Sequence, residues 1–211
     1  MEFLFSHQPN FFCLQECDDY VSYWKGAFAS LGYSSVYLKR PDKKEDGCCI
    51  GYDSSQFIYE KHWSLQFDDL DDIVKLDRER FGYIENGKNE IFEENEEWRQ
   101  RASSYTAAEV PREKASTPTG ELKTQVETCF TRNIGLICLF RDKKTNEKIL
   151  VATTHLFWNP KYYQIKLYQS MYLLRAIQVT REKEGEDIPV FITMDSNTLP
   201  YSVVYNYYCS L

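Results

Sequence analysis

The stretch VFITMDSNTLP, Val190 to Pro200, constrains the fold more tightly than any other part of the chain. Val190, Phe191, Ile192 and Thr193 are strand-type residues, and Asp195, Ser196, Asn197 and Thr198 follow closely, so a strand is predicted to hand a carboxylate and an amide to a loop. The strand fixes the Asp195 backbone, and the i, i+2 spacing lets both side chains address one phosphate or water. The same residues also suit an Asx turn, in which Asp195 and Asn197 bond only nearby backbone. Two other strand-like runs end alike: Asn10 to Leu14 runs into Gln15 and Glu16, and Ile149 to Thr153 runs into Thr154 and His155. Three strand ends carrying an acid, an amide or an imidazole can converge on a metal and a phosphate at a sheet edge.

Five segments carry a family resemblance: FFCLQECDD, KRPDKKEDGCCIGY, TRNIGLICLF, ATTHLFWNPKYYQIKLYQ and VFITMDSNTLPYSVVY. In that order they resemble the endonuclease/exonuclease/phosphatase superfamily, and within it the branch of nocturnin, the angel proteins, the Ccr-type deadenylases and the Ngl-type RNA exonucleases. The resemblance covers most of the chain outside residues 60–125. It implies an α+β fold, a partial four-layer α/β sandwich of two packed, mainly antiparallel sheets flanked by helices. The family's first strand, with an Asn near the metal, and its last strands, with an Asp and a final His, have no counterpart between Met1 and Leu211. A truncated domain with reduced activity, open sheet edges and poor solubility is the expectation.

Length and composition agree with one packed domain over residues 1–211: 211 residues, 43% hydrophobic and 16% aromatic, suffice for a sizeable core. No apolar run approaches the roughly 20 residues needed to cross a bilayer, so no membrane partner is expected and an intracellular, cytoplasmic location is, with nucleus or mitochondrion as alternatives. The seven cysteines form no pair of CxxC motifs, which argues against a disulfide framework or zinc site, and Cys13, Cys129 and Cys138 read as small core residues. A net charge of −7 argues at first against a nucleic-acid partner. Residues 68–100, however, hold 12 Asp and Glu against 5 Lys and Arg, and the rest of the chain is balanced. The acidity therefore belongs to a charged insertion at about 68–120, read as a solvated surface loop.

In chain order, MEFLFSHQ reads as the end of a helix stopped before Pro9. Tyr20 to Leu31 reads as a helix with Val21, Trp24, Phe28 and Leu31 on its buried face, capped by Asp18 and Asp19 and stopped at Gly32. Strands are predicted at Cys48–Ile50, Phe57–Phe67, Val126–Phe130, Ile134–Phe140 and Lys148–Thr153. A second helix is predicted from about Lys161 to Thr180, with Leu167, Tyr168, Met171, Leu174 and Ile177 facing the sheet.

For the site, a hard cation prefers carboxylate oxygen, which makes Glu16 the expected ligand of Mg2+, with Mn2+ as the other option; a solvated strand-end acid is the alternative. The resemblance gives Asp195 the activation of water, and Asn197 with His155 the phosphoryl oxygens. A structural histidine is the plain reading of His155. Trp158, Asn159 and Pro160 form a rigid aromatic turn suited to stacking a nucleobase or to capping the next helix. Lys39 and Arg40 lie in a basic loop that either contacts phosphate or is a solvated hairpin. The expected substrate is an RNA 3′ end, of poly(A) or of an rRNA or tRNA precursor. A catalytically dead RNA- or protein-binding remnant and an enzyme for a small phosphorylated molecule are the rival readings.

Overall fold

A computed structural model of the chain describes residues 5–67 and 131–210. It divides into two compact units, Met1–Asp68 with Thr131–Thr198, and Asp69–Phe130 with Leu199–Leu211. The acidic insertion and the predicted strand Val126–Phe130 lie outside the described residues.

The first unit holds two sheets. Strands β1 (Phe11–Leu14), β2 (Tyr33–Lys39) and β3 (Gly47–Asp53) form one, in the order β1-β3-β2. Strands β4 (Phe57–Gln66), β5 (Ile134–Asp142), β6 (Lys148–His155) and β7 (Val190–Asp195) form the other in sequence order. All the pairings are antiparallel except β6 with β7, which run parallel. Parallel neighbours need a crossover, supplied by a long helix, α2 (Tyr163–Glu184).

The sheets pack through Ile50 of β3 against Leu136, Cys138 and Phe140 of β5 and Val151 of β6, all essentially inaccessible, with Phe11, Cys13, Val36 and Leu38 joining from the smaller sheet. Each fully buried Leu, Ile or Phe here contributes about 1.5–3 kcal/mol. Strand β5 is apolar without alternation from Ile134 to Phe140 because both of its faces are covered, one by the smaller sheet and the other by α2. The outer face of the smaller sheet is closed by Phe28 of α1 (Lys25–Ser30), whose ring lies 4.8 Å from that of Phe12. The layers are thus α1, sheet, sheet, α2, the expected four-layer α+β sandwich.

Two helix predictions need correction. Tyr20–Trp24 is a π-helical turn before α1, and its wider winding breaks the 3.6-residue stripe: Phe28 is buried and Trp24 half-buried against it, but Val21 is 82% and Leu31 45% exposed. Asp19, at the start of that turn, takes a left-handed conformation and makes no side-chain cap. In α2 Lys166, Leu167, Gln169, Ser170, Tyr172, Leu173, Ala176, Ile177 and Thr180 are buried, so Leu167 and Ile177 of the expected face lie inside, whereas Met171 and Leu174 are half-buried and Tyr168 is exposed. The buried face is wider than the apolar stripe because its first two turns also bury the polar Lys166, Gln169 and Ser170, which find partners.

In the second unit, α3 (Val203–Cys209) is capped by Ser202, whose hydroxyl accepts from the Tyr205 N–H at 3.1 Å. Among the described residues, no helix is long and apolar enough to cross a membrane.

Candidate active site

The parallel pairing of β6 and β7 sets the site. Its register places His155 directly beside Asp195, each the last residue of its strand. His155 is buried, with Nε2 3.7 Å from Asp195 Oδ2, while its Nδ1 is buried without a hydrogen-bond partner. Asp195 is half exposed, so the pair joins an interior imidazole to a carboxylate at the surface.

Past the strand, the chain turns sharply. The Asn197 N–H donates to Asp195 Oδ1 at 2.9 Å, an Asx turn closed with Asn197 in a left-handed conformation at φ 49°. Asn197 Nδ2 donates to Leu156 O at 3.0 Å, and the Leu156 N–H donates to Asp195 O at 2.9 Å. The Asx turn and a polar cluster at the sheet edge are therefore one arrangement: the turn uses one carboxylate oxygen and leaves the other facing the imidazole.

The end of β1 reaches the same edge. Gln15 Nε2 donates to Thr153 Oγ1 of β6 at 2.8 Å. Cys17 exchanges backbone hydrogen bonds with Gly47 at 3.0 and 3.1 Å, and the neighbouring Cys48 thiol accepts from the His155 backbone. Burial pushes that thiol up to about 12, so it stays neutral. Glu16 stands between these two anchors, exposed and left-handed at φ 52°. Non-glycine residues in that region are uncommon and cluster at functional sites.

In the basic loop, Arg40 is committed to structure. Arg40 donates through Nη1 to Asp46 Oδ2 at 3.0 Å, through Nε to Arg132 O at 2.9 Å and through Nη2 to Thr131 O at 3.1 Å. Lys39 pairs with the exposed Glu45 at 3.0 Å. Trp158 is 67% exposed; Asn159 accepts from the Tyr162 N–H at 3.2 Å, and Pro160 opens a short 3-10 turn into α2.

Three interior polar residues escaped sequence reasoning as site elements. Lys166 is 2% exposed and donates to Asn197 O at 2.7 Å. Gln169 and Asn133, each 4% exposed, share a bond at 3.3 Å, and Asn133 Nδ2 donates to His155 O at 2.7 Å. Asn133 lies in the matched segment TRNIGLICLF, and Lys166 and Gln169 lie in ATTHLFWNPKYYQIKLYQ; polar residues on a helix face meant for the core are the signal.

No family model matches the chain. It is 31% identical over 209 residues to carbon catabolite repressor protein 4 homolog 4 of Arabidopsis thaliana, a match covering 96% of this chain and 45% of that protein. It is 23% identical over 193 residues to the CCR4-Not complex 3′-5′-exoribonuclease subunit Ccr4 of Yarrowia lipolytica, covering 86% of this chain and 22% of that one. Among solved structures, ANGEL2, a 2′,3′-cyclic phosphatase in complex with adenosine-2′,3′-vanadate, superposes with a TM-score of 0.65 at 23% identity, over 96% of this chain and 44% of that one. The chain thus spans less than half the length of these relatives.

Proposed function

Because the chain belongs to the endonuclease/exonuclease/phosphatase superfamily, in the branch of the Ccr4-, angel- and nocturnin-type proteins, we propose that it hydrolyses phosphodiester bonds at RNA 3′ ends and releases nucleoside 5′-phosphates. The observation that carries this reading is the register pairing of buried His155 with half-exposed Asp195, closed over by the Asn197 turn. The Yarrowia relative, named as a 3′-5′-exoribonuclease, supports RNA as the substrate class.

In this reading, Asp195 Oδ2, which is not held by the turn, accepts the proton of the attacking water. The imidazole of His155, walled off from solvent, donates to a phosphoryl oxygen as negative charge grows there. Asn197 Nδ2 uses one hydrogen on Leu156 O and keeps its second for another phosphoryl oxygen. Trp158 offers an open aromatic face to a base.

Among the described residues, no three His, Cys, Asp or Glu side chains cluster closely enough to hold an ion by themselves. Magnesium does not need such a cage, since it is commonly held by one or two carboxylates with water and phosphate oxygens completing its shell. Glu16, exposed and fixed between two anchors, fits that role, with manganese as the other candidate ion. A bound ion would supply positive charge against the phosphate.

The test is release of nucleotides from 3′-labelled oligoadenylate in magnesium, using the full reading frame. Release no faster than by the Asp195→Ala variant overturns the proposal. Similarity to a 2′,3′-cyclic phosphatase favours one second reading, opening of a cyclic phosphate end. An oligonucleotide ending in a 2′,3′-cyclic phosphate separates the two, because that reaction changes the terminal phosphate without shortening the chain.

A further inference from the structure

We propose that Lys166 and Gln169, one turn apart on the buried face of α2, are positioning residues that lock the Asp195–Asn197 turn and the His155 strand end into one fixed arrangement. The proposal rests on the hydrolytic reading of that site and adds to it the part of the molecule that holds the two halves together.

Residues three apart on a helix share a face, and here the two side chains reach different walls of the site. Lys166 Nζ donates to Asn197 O at 2.7 Å, the carbonyl of the residue whose N–H closes on Asp195. Gln169 Oε1 accepts from the Phe157 N–H at 2.9 Å, two residues past His155. Its Nε2 donates to Thr131 Oγ1 at 3.1 Å and Asn133 Oδ1 at 3.3 Å, and Asn133 in turn holds His155 O. One helix face therefore grips both strand ends through four side-chain contacts.

Stability alone does not account for Lys166. A cation in the first turn of a helix opposes the helix dipole, and burying it costs solvation. Burial lowers its pKa from the ordinary lysine value, with the Asp195 charge acting in the opposite sense. An apolar residue would suit that depth better, unless the group is there for the turn it holds. Gln169 is likewise 4% exposed, with both ends of its amide engaged.

The experiment uses the full chain with Lys166→Met and Gln169→Leu, which keep length and remove the polar contacts. Amide hydrogen exchange is followed at Asn197 and Phe157, with Leu136 and Leu139 of β5 as the folding control, beside steady-state cleavage of oligoadenylate. Lys166→Met should speed Asn197 exchange tenfold or more, and Gln169→Leu should do so at Phe157, with the β5 amides unchanged. In each, kcat should fall tenfold or more while KM stays within threefold, a split that a loss of binding would not give. Unchanged exchange at both amides overturns the proposal whatever the activity. Faster exchange with unchanged kcat also overturns it, because the contacts are then structural only. If wild type cleaves no faster than Asp195→Ala, the hydrolytic reading falls and the exchange arm still decides the positioning. Should Lys166→Met lose β5 protection, Lys166→Gln decides by the same readouts.

Discussion

The Asn133 side-chain amide donates to the carbonyl oxygen of His155 at 2.7 Å, tying the segment before β5 to the last residue of β6. Asn133 is buried, and its own oxygen accepts from Gln169 at 3.3 Å. Asn133→Leu takes the donor from the His155 carbonyl and one of the two acceptors from the Gln169 amide, which keeps its bond to Thr131. Leaving buried polar groups unpaired costs about 1–3 kcal/mol. The expected result is an unfolding free energy lowered by that much in urea denaturation, with activity falling further than the fraction unfolded explains.

Arg40 joins its loop to residues 131 and 132 through hydrogen bonds to their carbonyls and pairs with Asp46. Arg40→Ala leaves Asp46 without its partner and two carbonyls without donors, an expected loss of about 2–4 kcal/mol. Lys39→Ala removes only an exposed pair with Glu45 and should change stability by less than about 1 kcal/mol. Chemical denaturation of the two variants side by side checks the contrast.

Gly51 faces Phe12 across the β1–β3 pairing, and a methyl group placed there would meet that ring at 2.0 Å. Phe12 cannot swing aside, since its ring packs edge-on against Phe5 and Phe28. Gly51→Ala should therefore cost about 1–3 kcal/mol through overpacking, read as a lower thermal midpoint.

At the far end of α2, Glu184 takes hydrogen bonds from Lys61 of β4 and Lys148 of β6, and the first of these leads in holding its carboxyl below the ordinary value of 4.5. A depressed carboxylate contributes stability that is complete above its unfolded value and is lost as pH falls through the lower folded one. Glu184→Gln should lower the urea midpoint at pH 7 and make no difference near pH 2. Equal losses at both pH values would contradict this account.

Trp158 presents its ring to solvent beside the site. Stacking on a base is worth about 1–3 kcal/mol, so Trp158→Ala should raise KM for oligoadenylate by roughly 5- to 150-fold with little change in melting temperature. An equal KM would remove Trp158 from the substrate contacts.

Much of this was legible in the chain. Strand β7 and the end of β6 could be read because strand-forming residues stop at a carboxylate or an imidazole, and the parallel register then made neighbours of His155 and Asp195. Strand β2 was not anticipated: YSSVYLK mixes hydroxyl and apolar residues, and all but Lys39 end up half-buried, so no clean alternation marks it. The inward face of α2 is legible only in part: Leu167 and Ile177 are buried as expected, but hydropathy sends a lysine and a glutamine outward, whereas Lys166 and Gln169 are buried with partners contributed by distant segments. Tertiary pairing of that kind leaves no local pattern to read.

The antiparallel turn at residues 143–146 is exposed and lies apart from the polar strand ends, whereas β6, α2 and β7 follow one another without interruption. New termini opened at that turn would keep the strand–helix–strand unit continuous. New termini opened between Trp158 and Lys166 would cut the tether that sets the rotational phase of α2, and the cation under Asn197 would no longer be held at its post.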